Sequence, residues 1–348
     1  NLIINGAMQV AQRGTTFSTL DAGTYTLDRF YYYKAGGSGV SAGEVTITQS
    51  SDAPSGFSNS LKVDVTTADT SVAANQDYRI RTVLEAQNLQ HLDYGAAGAK
   101  AITISFWFKT NKTGTYTLNI YEADSARIIG AEYTINSANT WEKKEITFAG
   151  DTGGGINDDN GASMYIQWVL ACGSDFTSGT FATSWQAYSG GDYFSSNQTN
   201  FFDSASNELC ITGVQLEVGS IATEFEHRSY GEELALCHRY FESLTVTGTS
   251  DCFATMHIWN TTTAYGALVF RPKRTNPTVS FGTYTSFRLR STGSNYTASS
   301  SSSLEVADPK QEGYGRVRII TGGTLTAGDS GWLGNTSTSG TIHIDAEL

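Results

Sequence analysis

Residues 102–109 read Ile-Thr-Ile-Ser-Phe-Trp-Phe-Lys, and this alternation constrains the fold more than any other feature of the chain. Side chains of an extended strand point to opposite faces in turn, so Ile102, Ile104, Phe106 and Phe108 share one face while Thr103, Ser105, Trp107 and Lys109 share the other. The pattern recurs. Residues 116–121 put Thr117, Asn119 and Tyr121 on the polar side, residues 164–170 oppose Tyr165 and Gln167 to Met164, Ile166 and Trp168, and residues 78–84 turn Arg79 and Arg81 away from Ile80. Further strands are expected at 2–10, 28–34, 45–49, 61–65, 131–135, 142–148 and 209–217. About ten such strands joined by turn clusters predict two sheets packed face to face.

Composition agrees. Charged residues make up 16% of the 348 residues, against about 25% in ordinary soluble domains. Thr, Ser, Gly, Asn and Tyr take their place, which suits half-exposed strands and tight turns. The net charge of −12 excludes a basic nucleic-acid footprint. No apolar run is long enough to span a bilayer, and residues 1–6 lack the basic-then-apolar pattern of a secretory leader. Cys172, Cys210, Cys237 and Cys252 are too dispersed for a disulfide framework and are expected as free thiols.

One segment departs from period two. Ser229-Tyr-Gly-Glu232 has the form of a capping box, and Leu234, Cys237, Phe241 and Leu244 follow at helical spacing. This predicts a linking helix over 229–244 between a first domain at 1–228 and a second at 245–348. Strands of the second domain are expected at 252–259, 264–271, 277–281, 284–290, 315–320 and 341–347, with 291–303 an exposed Ser-rich loop. A helix of about three turns is marginal alone in water and must pack on something. Its apolar stripe could lie on its own domains or meet its copies around an axis.

Motifs for chemistry are weak. Gly39-Val-Ser-Ala-Gly43 matches G-x-S-x-G, but a strand follows where a nucleophile elbow needs a helix, so a turn is expected; Gly328-Asp-Ser-Gly331 reads as a turn too. There is no H-E-x-x-H, Walker loop or cysteine–histidine metal spacing. The loop at 151–160 is rich in oxygen ligands without EF-hand spacing, and reads either as a hard-cation site or as a solvated loop.

The polar strand faces are richer. Trp107, Tyr121 and Tyr165 stand among Arg79, Arg81, Asn119 and Gln167, all in the phase opposite the aliphatic rows. Aromatic faces stack on sugar rings while arginines and amides bond hydroxyls, so these seven residues are the candidate carbohydrate-binding face. The alternative is that this face packs under a loop or against a neighbouring subunit.

Several stretches carry a family resemblance: residues 1–14 (Asn-Leu-Ile-Ile-Asn-Gly-Ala-Met-Gln-Val-Ala-Gln-Arg-Gly), 25–30 (Tyr-Thr-Leu-Asp-Arg-Phe), 105–107 (Ser-Phe-Trp), 211–219 (Ile-Thr-Gly-Val-Gln-Leu-Glu-Val-Gly), the helical run 231–241 and the terminal Asp-Ala-Glu-Leu. They resemble the jelly-roll domain of tailed-bacteriophage tail fibres and other virion appendages. The first domain is also similar to the carbohydrate-binding modules of bacterial glycanases, which often begin with an Asn-Gly-x-Phe-Glu turn and hold a structural calcium there. This chain has Ala7, Met8 and Gln9 at that turn, and Thr212 and Gly213 where such modules commonly carry an acidic pair, so no metal and no cofactor is expected. The resemblance implies a virion location after assembly in a host cytoplasm. It implies partners among other virion proteins and host-surface polysaccharide, and the commonly threefold assembly of such appendages favours a homotrimer in which the helical stripe of Leu234, Cys237, Phe241 and Leu244 would form the interface.

The resulting expectation is an all-β chain: a jelly-roll β-sandwich, one short linking helix, then a second, smaller β-sandwich. Its function is that of a non-enzymatic virion structural protein contacting host glycan. The rivals are a purely structural capsid or tail protein, and a polysaccharide depolymerase, which the absence of any repeat period disfavours.

Overall fold

The computed structural model describes the chain apart from residues 19, 21–22, 37–42, 247, 249–250 and 337–339, so most of the G-x-S-x-G segment lies outside the described residues. The chain is nearly all β, with antiparallel sheets in two compact units, Asn1–Glu233 with Leu348 and Leu234–Glu347.

Thirteen strands build the first unit: β1 (Thr16–Phe17), β2 (Thr24–Tyr25), β3 (Tyr31–Ala35), β4 (Glu44–Ser50), β5 (Ser60–Thr67), β6 (Asp77–Glu85), β7 (Ile102–Thr110), β8 (Gly114–Glu122), β9 (Arg127–Ile135), β10 (Glu142–Phe148), β11 (Ala162–Cys172), β12 (Gln186–Ala187) and β13 (Glu208–Val218). One sheet runs β1-β4-β5-β13-β7-β10 and the other β12-β9-β8-β11-β6-β3-β2. The chain changes sheet at almost every connection between β5 and β11, which is the wrapping of a jelly roll. Between the sheets lies one core. Ile102, Ile104, Phe106 and Phe108 of β7 meet Leu118 and Ile120 of β8, Ile166 and Trp168 of β11 and Ile80 of β6, all fully buried or nearly so. Phe106 sets its edge against Trp168 with ring centroids 5.7 Å apart.

The N-terminal stretch departs from expectation. Ile3, Met8 and Val10 are buried as a strand would bury them, yet no strand forms over 2–10. Asn5 and Met8 take left-handed backbone angles, with φ of 61° and 55°. The Asn5 side chain accepts from the Val10 amide at 2.8 Å and donates to the Val10 and Asp28 carbonyls at 2.9 Å each, so one amide replaces a ladder partner.

The capping box forms as expected: the Ser229 amide donates to Glu232 Oε2 at 2.9 Å, and the Glu232 amide donates to Ser229 Oγ. The helix it starts, α1 (Tyr230–His238), is shorter than predicted and does not continue through 244. Residues Phe241–Val246 form a strand, β14, paired along its length with β23 (Gly340–Asp345). Only its second half, Ser243-Leu-Thr-Val246, alternates, and it ends on two β-branched residues, so strand pairing overrides the helical spacing. This corrects the trimer seam. Phe241 and Leu244 stand on a strand, Cys237 and Phe241 are buried inside the chain, and Leu244 packs on the second unit's own core. Of the four, only Leu234 and Cys237 stay on the helix, Leu234 half-buried and Cys237 fully buried, so the expected four-residue seam does not form.

The rest of the second unit comprises β15 (Cys252–Ile258), β16 (Thr263–Val269), β17 (Thr278–Phe281), β18 (Phe287–Ser291), β19 (Ser294–Thr297), β20 (Leu304–Lys310), β21 (Tyr314–Ile320) and β22 (Ser330–Asn335). A three-stranded sheet, β14-β23-β17, accompanies a seven-stranded one, β19-β18-β22-β15-β16-β21-β20, and they share a core around Met256, Phe287, Leu289, Leu333 and Ile344. The Ser-rich loop expected at 291–303 instead opens with a tight hairpin. Thr292 and Gly293 both have positive φ, 47° and 82°, which suits a two-residue turn and lets β19 fold back on β18.

This unit buries a charge pair. The Lys273 ammonium, with a wholly buried side chain, donates to Glu242 Oε2 at 2.7 Å and to the carbonyls of His238 and Arg271. Burial pushes its pKa down although Glu242 pulls it up. Replacing Glu242 by Ala strands that ammonium, and chemical denaturation of the variant is expected to show a loss of about 3–5 kcal/mol.

Candidate functional site

The outer face of the second sheet of the first unit carries the site. Parity puts Tyr78 and Ile80 of β6 into the core and therefore Arg79 and Arg81 outside; the same rule turns out Tyr31 and Tyr33 of β3, Tyr165 and Gln167 of β11, and Asn119 and Tyr121 of β8. Register then aligns them. Tyr25 pairs with Tyr31, Tyr31 with Arg81, Arg81 with Gln167 and Gln167 with Asn119, giving one row across five strands. Tyr33 pairs with Arg79 in the row beside it, and Tyr165 pairs with Tyr121 on the other side.

A long connection walls one end. Between β11 and β13 the chain makes single 3₁₀ turns at Ser174–Phe176 and Gly190–Asp192 and packs Tyr193 and Phe194 with Val169 and Ile128 into a small core on this outer face. Tyr188, at the exposed tip, makes edge-to-face contacts with Tyr121 and Tyr193, ring centroids 5.6 and 5.1 Å apart. The resulting groove encloses about 440 Å³.

The floor is a closed polar network. Arg79 holds Asp77 through two guanidinium nitrogens at 2.8 and 3.1 Å and donates to Gln167 Oε1 at 2.5 Å and to the Tyr193 hydroxyl. Gln167 donates to Asn119 Oδ1 and to the Tyr193 hydroxyl, and Asn119 donates to the Tyr193 carbonyl. All five residues are buried. Burial raises the pKa of Asp77 against the opposing pull of Arg79, and burial also raises that of Tyr193. Arg79, Asn119 and Gln167 therefore spend their hydrogen bonds on each other and on the Tyr193 wall; they support the groove rather than reach out of it.

Arg81 differs. Its guanidinium carbon lies 4.3 Å from the ring centroid of Tyr31, 4.7 Å from that of Tyr33 and 5.1 Å from that of Tyr165. Its Nε is shielded from water with no hydrogen-bond partner, and among the described residues no carboxylate pairs with it. Tyr121 and Tyr165 stand half-exposed beside it, 5.8 Å between ring centroids.

Trp107 does not belong to this groove. It shares the outward phase of the other six residues, but β7 lies in the opposite sheet, so Trp107 stands on the far side of the sandwich. That face is covered by the chain itself: Thr103 Oγ1 donates to the Gly219 carbonyl, and the Glu226 amide donates to Gln215 Oε1. Phe225 and His227 of the covering segment cluster with Phe57 beside Trp107 around a hollow of about 350 Å³. Gly213, at φ 61°, makes room there, since a Cβ would meet Phe57 and Trp107 at under 3 Å.

A third hollow, about 660 Å³, opens between β9 of one sheet and β10 at the edge of the other, lined by Phe181 and Trp185. Its charged group Arg127 is paired with Asp151 at 2.6 Å, and the Trp185 indole donates to the Ala149 carbonyl. The same pair accounts for the oxygen-rich loop: Asp151 faces Arg127 and the Gly153 amide, and Asp159 accepts from the Gly161 amide. Among the described residues no group of three or more His, Cys, Asp or Glu is placed to hold a metal ion. All four cysteines are free, and no described helix is long and apolar enough to cross a membrane.

Sequence reading missed Tyr31, Tyr33, Tyr188 and Tyr193. The first two were findable, because Tyr31-Tyr32-Tyr33 inside an expected strand must send two rings to one side. The loop tyrosines carried no periodic signal.

No family model and no curated protein matches the chain. Among solved structures it is similar to the enzymatically active domain of tailspike protein 4 of bacteriophage CBA120, at TM-score 0.29 and 13% identity over 55% of this chain and 19% of that one. It is also similar to a family 11 carbohydrate-binding module from Clostridium thermocellum, at TM-score 0.31 and 14% identity over 60% of this chain and 98% of that one. A third likeness is to the CBM22-2 xylan-binding domain of a Paenibacillus barcinonensis protein, at TM-score 0.28 and 14% identity over 63% and 99%.

The buried network gives a direct test of the floor. Replacing Asp77 by Ala leaves Arg79 as an uncompensated buried cation, and urea unfolding of the first unit is expected to shift by about 3–5 kcal/mol. Asp77→Asn, which keeps an acceptor, is expected to lose less.

Proposed function

We propose that the first unit is a non-catalytic glycan-binding module, with saccharide lying across the strands in the groove of Tyr33, Arg81, Tyr121, Tyr165 and Tyr188. The observation that carries this is the cluster of half-exposed rings gathered around Arg81 over a buried polar floor. Flat apolar faces at the surface fit the C–H faces of sugar rings, and their removal from water stabilises the contact. Glycoside hydrolysis needs two carboxylates flanking the bond. Among the described residues lining this groove only Asp77 is acidic, and it is buried against Arg79.

The setting follows from the sequence resemblance to tailed-phage appendages: a virion protein that contacts host-surface polysaccharide and other virion components, assembled in several copies. A shallow platform gives weak single-site affinity, and many copies on a particle multiply it. Without a helical seam, a trimer would have to rest on surfaces of the two β units.

Binding measured by calorimetry against purified bacterial surface polysaccharides tests the site. Tyr165→Ala is expected to weaken affinity about tenfold, the scale of one lost ring contact. Trp107→Ala, on the opposite sheet, is expected to leave it unchanged. Loss of binding in the Trp107 variant alone would move the site to the other face, and no binding to any polysaccharide would favour a purely structural role.

A further inference from the structure

We infer that the groove selects an acidic saccharide, with a sugar carboxylate seated against the Arg81 guanidinium. This rests on the glycan-binding reading and deepens it. Charge in the groove is unevenly settled. Among the described residues its lining holds two guanidinium groups and one carboxylate, and that carboxylate, Asp77, is bound by two nitrogens of Arg79. One positive charge is left over, on Arg81, in a chain whose net charge is −12.

Arg81 is also the group that lacks partners. Its Nε is shielded without a hydrogen bond, while its guanidinium lies over the rings of Tyr31, Tyr33 and Tyr165. Ring faces attract a cation but accept none of its N–H groups in the plane of the fork. With Nε shielded, a ligand can reach only the two terminal nitrogens of the fork, and a planar group with two oxygens meets that edge and lies between flat rings without clashing, which is the geometry of a carboxylate. A tetrahedral phosphate or sulfate projects out of that plane. Neutral hydroxyls would satisfy the same donors with weaker bonds, because charge-assisted hydrogen bonds are roughly twice as strong. The ligand class is therefore a polysaccharide bearing uronic-acid or other carboxylated sugars, its neighbouring rings stacked on Tyr165 and Tyr121.

The test uses the full chain and an array of acidic and neutral bacterial surface polysaccharides. Carboxylated hits are then measured by calorimetry in native form and after chemical reduction of their carboxyl groups to alcohols. Binding is expected to favour the carboxylated polymers and to fall about 10- to 100-fold on reduction, the scale of one charge-assisted contact. It is also expected to weaken with added salt. Arg81→Gln is expected to reproduce that loss against the native polymer and to bind native and reduced forms alike. Arg81→Lys, which keeps the charge but not the fork, should fall between. Equal affinity for native and reduced polymer, or hits confined to neutral or phosphorylated glycans, would overturn the carboxylate assignment and leave glycan binding standing. Binding to nothing on the array would remove the glycan reading itself, and this inference with it.

Discussion

The alternation of side chains along β6, β8 and β11 is the constraint on which the rest depends. Each of these strands buries an aliphatic or aromatic row in the sandwich core and so has no freedom in what it shows outside. A slip of one residue in β11 would bring Tyr165 and Gln167 inside and push Ile166 and Trp168 into water. Burying a large apolar side chain is worth about 1.5–3 kcal/mol, so such a slip is prohibitive over several positions. The groove is rigid because the core beneath it is.

The polar floor adds a second layer of order. Arg79 and Asp77 are expensive to take out of water singly, and as a pair they gain only if every donor and acceptor is met. Here Gln167, Asn119 and Tyr193 complete the set. Because Asn119 and Gln167 come from the sheet and Tyr193 from the long connection, satisfying the buried pair also fixes the wall that carries Tyr188. Arg81, two residues along the same strand, is spared by that closure and is left to face the groove.

The sequence made the parity of each strand legible but not its sheet. Trp107, Tyr121 and Tyr165 share a phase, and phase alone grouped them; β7 nevertheless pairs with β13 and β10, while β8 and β11 pair with each other. Strand pairing is decided by contacts between segments far apart in sequence, which periodicity does not encode. Local chemistry was readable where it acts locally: the Ser229–Glu232 capping box starts α1 as expected. Where that helix stops was not readable, because Phe241 and Leu244 keep helical spacing, and pairing with β23, far away in sequence, overrides it. At the N-terminus the buried positions of Ile3, Met8 and Val10 were visible, but not that one asparagine side chain would stand in for a neighbouring strand.

An acidic protein with a cationic groove separates approach from capture. At physiological ionic strength charges are screened beyond about 8 Å, so the net charge of −12 acts on a polyanion mainly as it nears the surface, and there it repels. In the proposed complex attraction would begin only where the polymer comes within reach of Arg81. The ring faces around that arginine exclude water from the contact, which strengthens it, and the buried Asp77 is kept from competing for the same donors by its two bonds to Arg79. Discrimination in such a site comes from fit at short range rather than from steering at long range.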